Sequence, residues 1–328
     1  MTAATGMEPP RALCITSNAS LRRTLQRTLK GAGSSVEFTD RLTEEHAHGA
    51  AIIVMDQDYR RQVDPEVIEL VGGGGGAGQA GGGGRGGKII MVGDSLEDDE
   101  VVTLIRDLPM NHLISDLQNP DELELLVTSV KLLSGDIFGL QKYLAWGVAI
   151  RESSIATYDE KRDALIAVSE HAMEVGARRQ VVAKIESVAD ELLMNALYDA
   201  PAIRQGVSRK TRIHKSNINE MPSREAALLR YACDGRYFAL SVEDSYGELH
   251  KETILDHLSR ARAERGRPRP SENGSGAGLG LYFILSSVTR FIANVEPGTR
   301  TEVICLFDMR QRGREAKNCA RSLHIFLT

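Results

Sequence analysis

Three short stretches in the C-terminal half carry residue types that could do chemistry together. In Asp190-Glu191-Leu192-Leu193-Met194-Asn195-Ala196, Glu191 and Asn195 stand four residues apart, the spacing that puts two side chains on one face of a helix. Asn195 offers a neutral oxygen of the kind that ligates Mg²⁺, an ion commonly held by few protein ligands together with substrate phosphates. Glu191 can accept a proton from a water or hydroxyl nucleophile, or hold a metal-bound water. Taken alone, the stretch also reads as an ordinary helix with two polar residues.

The second stretch, Val242-Glu243-Asp244-Ser245-Tyr246-Gly247, puts Asp244 at the end of an apolar run. A carboxylate there can accept a hydrogen bond from the exocyclic amino group of adenine, which guanine lacks at that position. Gly247 lets the backbone turn close to the base. The third stretch, Gly276-Ala277-Gly278-Leu279-Gly280-Leu281, stands before an apolar helical segment. Its glycines expose backbone amides, and the helix N-terminus after them favours phosphate. Thr301 follows Pro297-Gly298 and precedes a strand pattern, where its hydroxyl can complete a base pocket. Each of these, alone, is also a plain turn.

These residues need a helix, a strand end and a glycine loop to hold them. Helical patterns run over Glu160–Val175, Arg178–Tyr198 and Tyr282–Arg290, and strand patterns over Ile150–Thr157, Tyr237–Val242, Glu302–Phe307 and Leu323–Leu327. That order predicts helices layered on one face of a mixed or antiparallel sheet. In the first half, apolar runs Ala12–Thr16, Ala50–Met55, Lys88–Val92 and His112–Ile114 alternate with helical patterns at Leu21–Leu29, Glu100–Leu108 and Pro120–Leu133. Such alternation predicts a parallel sheet covered on both faces. The run Gly72–Gly87 lacks the Lys-Ser/Thr or helix start of a phosphate loop, and reads as a flexible insertion. Ser134–Ile150, with Phe138, Leu140, Tyr143, Leu144 and Trp146, is too apolar for a free tether and reads as a packed connector.

The 328 residues suffice for two domains. Boundaries fall at a tail (1–10), a first domain (11–133) with the glycine insertion (72–87), the connector (134–150) and a second domain (151–328). A net charge of -5 gives no reason to expect nucleic-acid binding. Cys14, Cys233, Cys305 and Cys319 are scattered without a CxxC pair, which argues against a zinc site or a disulfide framework. Met1–Pro10 lacks the basic start and apolar core of a signal peptide. No window approaches the ~18 consecutive apolar residues of a membrane span. A cytoplasmic location is the expectation.

With those residues in that order, residues 151–328 resemble the GHKL ATPase superfamily, which includes gyrase-type ATPases and histidine-kinase catalytic domains. Glu191–Asn195 resembles its N box, Asp244–Gly247 its G1 box, Gly276–Leu281 its G2 box, and Pro297–Val303 its last, threonine-containing element. The resemblance implies the Bergerat-fold α/β sandwich, with ATP and Mg²⁺ held under a mobile lid. It also implies Glu191 as catalytic base, Asn195 as metal ligand, and Asp244, Gly247, Gly276, Gly278, Leu279, Gly280 and Thr301 around the nucleotide. The G1 pattern departs from the family: Tyr246 and Glu248 stand where glycines are usual, so the loop must differ. The lid corresponds to His257–Ser275, where one of Arg260, Arg262, Arg265, Arg267 and Arg269 could close on a γ-phosphate, or all could face solvent. His171 lacks the proline-containing context of a phospho-accepting histidine and reads as an ordinary helix-surface residue. Without a dimerising phospho-acceptor helix pair, the arrangement looks most like anti-sigma-factor serine kinases.

The first domain resembles a response-regulator receiver, a flavodoxin-like (βα)₅ fold. Asp56 falls at the phospho-acceptor position, but Ser17-Asn18 stands for the acidic pair, Gly93 for the Thr/Ser and Asn119-Pro120 for the Lys-Pro. With the acidic pair missing, Mg²⁺ has few ligands, so the domain reads as a pseudo-receiver that recruits a partner. Two functions stay open: an ATP-dependent kinase acting on a partner protein's Ser/Thr, and a non-catalytic ATP-dependent binding module. A homodimer also stays open.

Overall fold

The structure, a computed structural model, describes residues 8–60, 88–93, 102–103, 105–106, 110–117, 120–204, 225–263, 280–310 and 322–328. The glycine run 72–87, most of the segment 100–108, and the part of the lid candidate beyond Ala263 lie outside the described residues. The chain divides into two units, Met1–Asp94 with Thr103–Ile137, and Ser95–Val102 with Phe138–Thr328.

The first unit runs β1 (Arg11–Ile15), α1 (Ala19–Gly31), β2 (Ser35–Phe38), α2 (Glu44–Ala47), β3 (Ala50–Asp56), α3 (Gln57–Arg60), β4 (Ile89–Gly93), β5 (His112–Ser115) and α4 (Glu122–Ser134). Its strands pair in parallel in the order β2-β1-β3-β4-β5, one of the common doubly wound orders. Strand side chains alternate between faces. Ala12, Cys14, Ile52, Val54, Ile90, Val92 and Ile114 form one core with Leu21, Leu25 and Leu29 of α1 and Leu125 of α4. Their neighbours Leu13, Ile15, Ile53, Met55, Ile89, Met91 and Leu113 are buried as well. Burial on both faces is why these strands read as unbroken apolar runs. The short β2, with half of its residues exposed, carries too little apolar pattern to be seen in the sequence.

The second unit begins with a turn of 3₁₀ helix at Leu140–Tyr143, followed by β6 (Arg151–Ile155), α5 (Tyr158–Glu174) and α6 (Arg179–Met194). A π-turn (Asn195–Asp199) leads into α7 (Ala200–Arg204). Then come β7 (Ala227–Cys233), β8 (Tyr237–Asp244), α8 (Lys251–Ala263), α9 (Gly280–Ser287), β9 (Arg290–Glu296), β10 (Arg300–Asp308) and β11 (Ser322–Leu327). The strand order is β6-β7-β8-β10-β9-β11, antiparallel throughout except for β9 with β11. Among the described residues, no helix is long and apolar enough to cross a membrane.

Two strands of this sheet, β7 and β9, escape the sequence reading. In β7 the run Ala-Leu-Leu-Arg-Tyr-Ala-Cys is rich in helix formers, and pairing with β6 and β8 overrides that preference. In β9, Arg290 and Asn294 interrupt the apolar pattern, yet both are buried and bonded. Arg290 Nη2 donates to the Tyr237 hydroxyl at 3.1 Å, and Asn294 Nδ2 donates to Glu302 Oε2 at 3.0 Å. The helix predicted through Arg290 therefore ends at Ser287.

The connector packs in part. Leu140, Tyr143 and Leu144 are buried, and the Gly139 N–H donates to Oε2 of the fully buried Glu302 at 2.8 Å. The Arg300 guanidinium lies 3.7 Å from the centre of the Phe138 ring. Trp146 is the exception: it is fully exposed, contrary to its place among the packing residues of the connector.

Candidate functional site

The helix α6 presents Val182, Ile185, Val188, Ala189, Leu192 and Leu193 to the core at helical spacing. Its opposite edge carries the acids. Asp190 is turned aside into an ion pair with the buried Lys161 of α5, whose start is fixed by a capping box between Thr157 and Glu160. Glu191 instead faces a cleft. The predicted helix through Tyr198 is not regular, because at Asn195 it widens into the π-turn, where the Ala200 N–H donates to the carbonyl of Asn195. π-turns inside helices are frequent at functional sites. This one brings Asp199 to the cleft with Glu191 and Asn195. The sequence reading did not select Asp199, although its spacing of four from Asn195 carried the same signal. The Asn195 carboxamide has no hydrogen-bond partner among the described residues.

The far wall is the β8–β10 ladder. Its register sets Asp244 opposite Thr301 and Val242 opposite Val303, and all four line the cleft. The intervening residues Glu243 and Glu302 face the other way, toward Arg230 and the connector. Asp244 Oδ1 accepts from the backbone N–H of Tyr246 at 2.9 Å and of Gly247 at 3.4 Å. Asp244 Oδ2 has no hydrogen-bond partner among the described residues. Burial pushes the Asp244 carboxyl up to about 6, opposed by those two N–H groups and reinforced by the neighbouring Glu243 and Glu248. Thr301 is 2% exposed and its hydroxyl has no hydrogen-bond partner among the described residues. A buried polar group left unmatched costs about 1–3 kcal/mol, so the Thr301 hydroxyl, on a cleft wall and across the ladder from Asp244, is a place where a ligand would relieve that cost.

Gly247 has a φ of +67°, and a Cβ there would come within 2.6 Å of Gly298 N and 2.7 Å of Thr299 N. It is required as glycine because the β9–β10 hairpin presses on it, and it does not itself line the cleft. Tyr246 beside it is buried as a core anchor. Gly280, first residue of α9, does line the cleft, and a Cβ on it would overlap the Glu191 carboxylate. Gly276, Gly278 and Leu279 lie outside the described residues. His257 and the residues after it to Ala263 continue α8 rather than opening a loop, and His257 is buried and lines the cleft. His171 is not a plain surface residue: its ring packs 5.6 Å from that of Tyr231 and 5.9 Å from that of Phe238.

Four carboxylates, those of Glu191, Asp199, Asp244 and Glu248, line this cleft. Such a wall suits a polyanion only when a divalent cation comes with it. In the first unit, Asp56 is 2% exposed. Its Oδ2 accepts from the Thr16 hydroxyl and its Oδ1 from the Tyr59 N–H at 2.6 Å. Asn18, at the place of a receiver's acidic pair, caps α1 through its side-chain oxygen.

Neither a protein-family model nor a curated protein matches the chain. Among solved structures, the chain is similar to the SiaB–SiaC complex from Pseudomonas aeruginosa, at 15% sequence identity, over 48% of this chain and 88% of that one, with a TM-score of 0.30. A likeness of that size carries no functional argument.

Proposed function

We propose that the second unit is a GHKL-type, Bergerat-fold nucleotide-binding domain that takes ATP with Mg²⁺. The observation that carries this reading is the cross-strand pair Asp244–Thr301, whose buried threonine hydroxyl has no partner among the described residues, on the wall of the cleft that holds Glu191 and Asn195. Asp244 Oδ2 would accept from the adenine amino group and Thr301 would complete that contact. Val242, Val303 and Leu281 supply the apolar flanks. Asn195 would hold the metal by its carboxamide oxygen, while Glu191 accepts the proton of an attacking hydroxyl. The metal would neutralise phosphate charge against the acidic wall. The first unit, whose strand order is that of receiver domains, would serve as the partner-binding module, and the phosphoryl acceptor would be a Ser/Thr of that partner.

Calorimetric titration tests the reading. ATP·Mg²⁺ should bind in preference to GTP·Mg²⁺. Asn195→Ala should remove the Mg²⁺ dependence, and Glu191→Ala should spare binding while abolishing turnover. Equal affinity for the two nucleotides would refute the assigned base contact.

A second reading, a nucleotide-dependent binding module with little turnover, is favoured by the loop after Asp244. Tyr246 is buried, and Gly298 N–H donates to Gly247 O at 3.2 Å, so this loop lacks the freedom of a glycine-rich one. Phosphosite mass spectrometry on partners captured with ATP separates the two: phosphorylated Ser/Thr supports the kinase, and ATP-dependent capture without it supports the switch.

A further inference from the structure

We propose that Arg204 is the positioning residue that aims Asp244 and Thr301 at the nucleobase, and so sets the preference between adenine and guanine; this rests on the nucleotide reading above. Arg204 is the last residue of α7, the helix that continues from the Asn195 π-turn. Its Nη1 donates to two backbone carbonyls, Tyr246 O at 3.0 Å and Gly298 O at 2.6 Å. The same nitrogen lies 3.8 Å from Glu248 Oε1.

Those two carbonyls belong to the two turns that flank the base pair of residues. Tyr246 is in the turn that Asp244 Oδ1 closes, because the Tyr246 N–H donates to that oxygen. The Tyr246 carbonyl belongs to the peptide whose N–H is that of Gly247, which donates to the same Asp244 Oδ1 at 3.4 Å, so holding that carbonyl fixes one of the two donors that orient the Asp244 carboxylate on the cleft wall. Gly298 is in the hairpin that leads into Thr301, and its N–H donates to Gly247 O. Both bonds come from the two N–H groups of one terminal nitrogen, whose directions the planar guanidinium fixes, whereas the three donors of an ammonium rotate about a compact point charge. Arg204 therefore ties the segment bearing Asn195 and Asp199 to both turns that orient base recognition. Its side chain is 48% exposed, so its removal leaves no hole in the core.

The test compares Arg204→Ala and Arg204→Lys with Asp244→Asn in the full chain. It uses amide hydrogen exchange without nucleotide and calorimetric affinities for ATP·Mg²⁺ and GTP·Mg²⁺. Arg204→Ala should speed exchange at the Tyr246, Gly247 and Gly298 amides and reduce the ATP-over-GTP preference by about tenfold, the scale of one charge-assisted hydrogen bond. Arg204→Lys should restore part of both. If Asp244→Asn removes the preference while Arg204→Ala changes neither exchange nor preference, the positioning role is overturned and the nucleotide reading stands. If wild type shows no preference, the nucleotide reading fails and this inference fails with it. A loss of affinity that is equal for both nucleotides in Arg204→Ala also overturns the positioning role.

Discussion

Asp56 and Asp244 occupy the same kind of place in the two units and are treated in opposite ways. Each closes an apolar strand, β3 in one case and β8 in the other. Asp56 has both oxygens engaged, by the Thr16 hydroxyl and the Tyr59 N–H, and is buried. Asp244 lines a cleft with one oxygen engaged in its own turn, opposite a threonine whose buried hydroxyl has no partner among the described residues. A strand-end carboxylate is therefore not a site by position. It becomes one when the neighbouring chain leaves part of its hydrogen-bonding capacity unused.

The comparison breaks most easily at Asp56. Asp56→Ala leaves the buried Thr16 hydroxyl and the half-buried Tyr59 N–H without their acceptor, and should cost about 2–3 kcal/mol of stability. Chemical denaturation would read that loss, and nucleotide affinity should not change. A substantial change in affinity would mean that the two carboxylates are not separate in function.

Asp244→Asn should do the reverse, weakening ATP binding by about 1–3 kcal/mol with a small effect on stability. Its pH dependence sharpens the contrast. The Asp244 carboxyl is raised from 3.8 to about 6 in the folded chain. An acid so raised binds its proton more tightly folded than unfolded. It therefore adds stability as the pH falls through this window and withdraws it as the pH rises. An ionised carboxylate accepts from an adenine amino group more strongly than a neutral carboxyl, so affinity should fall below pH about 6 while stability moves the opposite way. Asp244→Asn should flatten both profiles; profiles that stay parallel to wild type would remove Asp244 from the base contact.

Thr301→Val is the finer probe, because valine keeps the β-branched shape that suits a central strand. Removing a buried hydroxyl that has no partner among the described residues should raise the melting temperature while lowering ATP affinity by about 1 kcal/mol. A variant less stable than wild type would show that the hydroxyl has a structural partner and is not held for a ligand.

How much of this was legible in the sequence follows from how local the causes are. The strand ending at Asp244 is visible because Tyr237–Val242 is an unbroken apolar run, and Glu191 and Asn195 share a face by helical spacing alone. Gly247 is visible as a glycine, but its reason lies in a hairpin about fifty residues away in the chain. The pairing of Asp244 with Thr301 needs the β9–β10 hairpin to fix the register, and β9 hides behind Arg290 and Asn294. Arg204 carries no local signal, since its contacts are 42 and 94 residues distant. Side chains whose role is to hold distant turns together cannot be read from periodicity.

The smallest expected effect is none, and it tests the sealed half of the comparison. Acetyl phosphate with Mg²⁺ should leave Asp56 unlabelled. An acyl phosphate needs a free carboxylate oxygen and nearby groups to hold the metal and the incoming phosphoryl oxygens. Here the oxygens accept from Thr16 and Tyr59, Asn18 is committed to capping α1, and Gly93 supplies no hydroxyl. A Cβ at Gly93 would lie 2.6 Å from Gln57 Oε1, so a serine there would have to displace the side chain of the residue after Asp56. Intact-mass and peptide mass spectrometry after incubation would detect the modification. A stable phosphoryl group on Asp56 would mean that the Thr16 and Tyr59 contacts open readily, and the first unit would then be a working receiver.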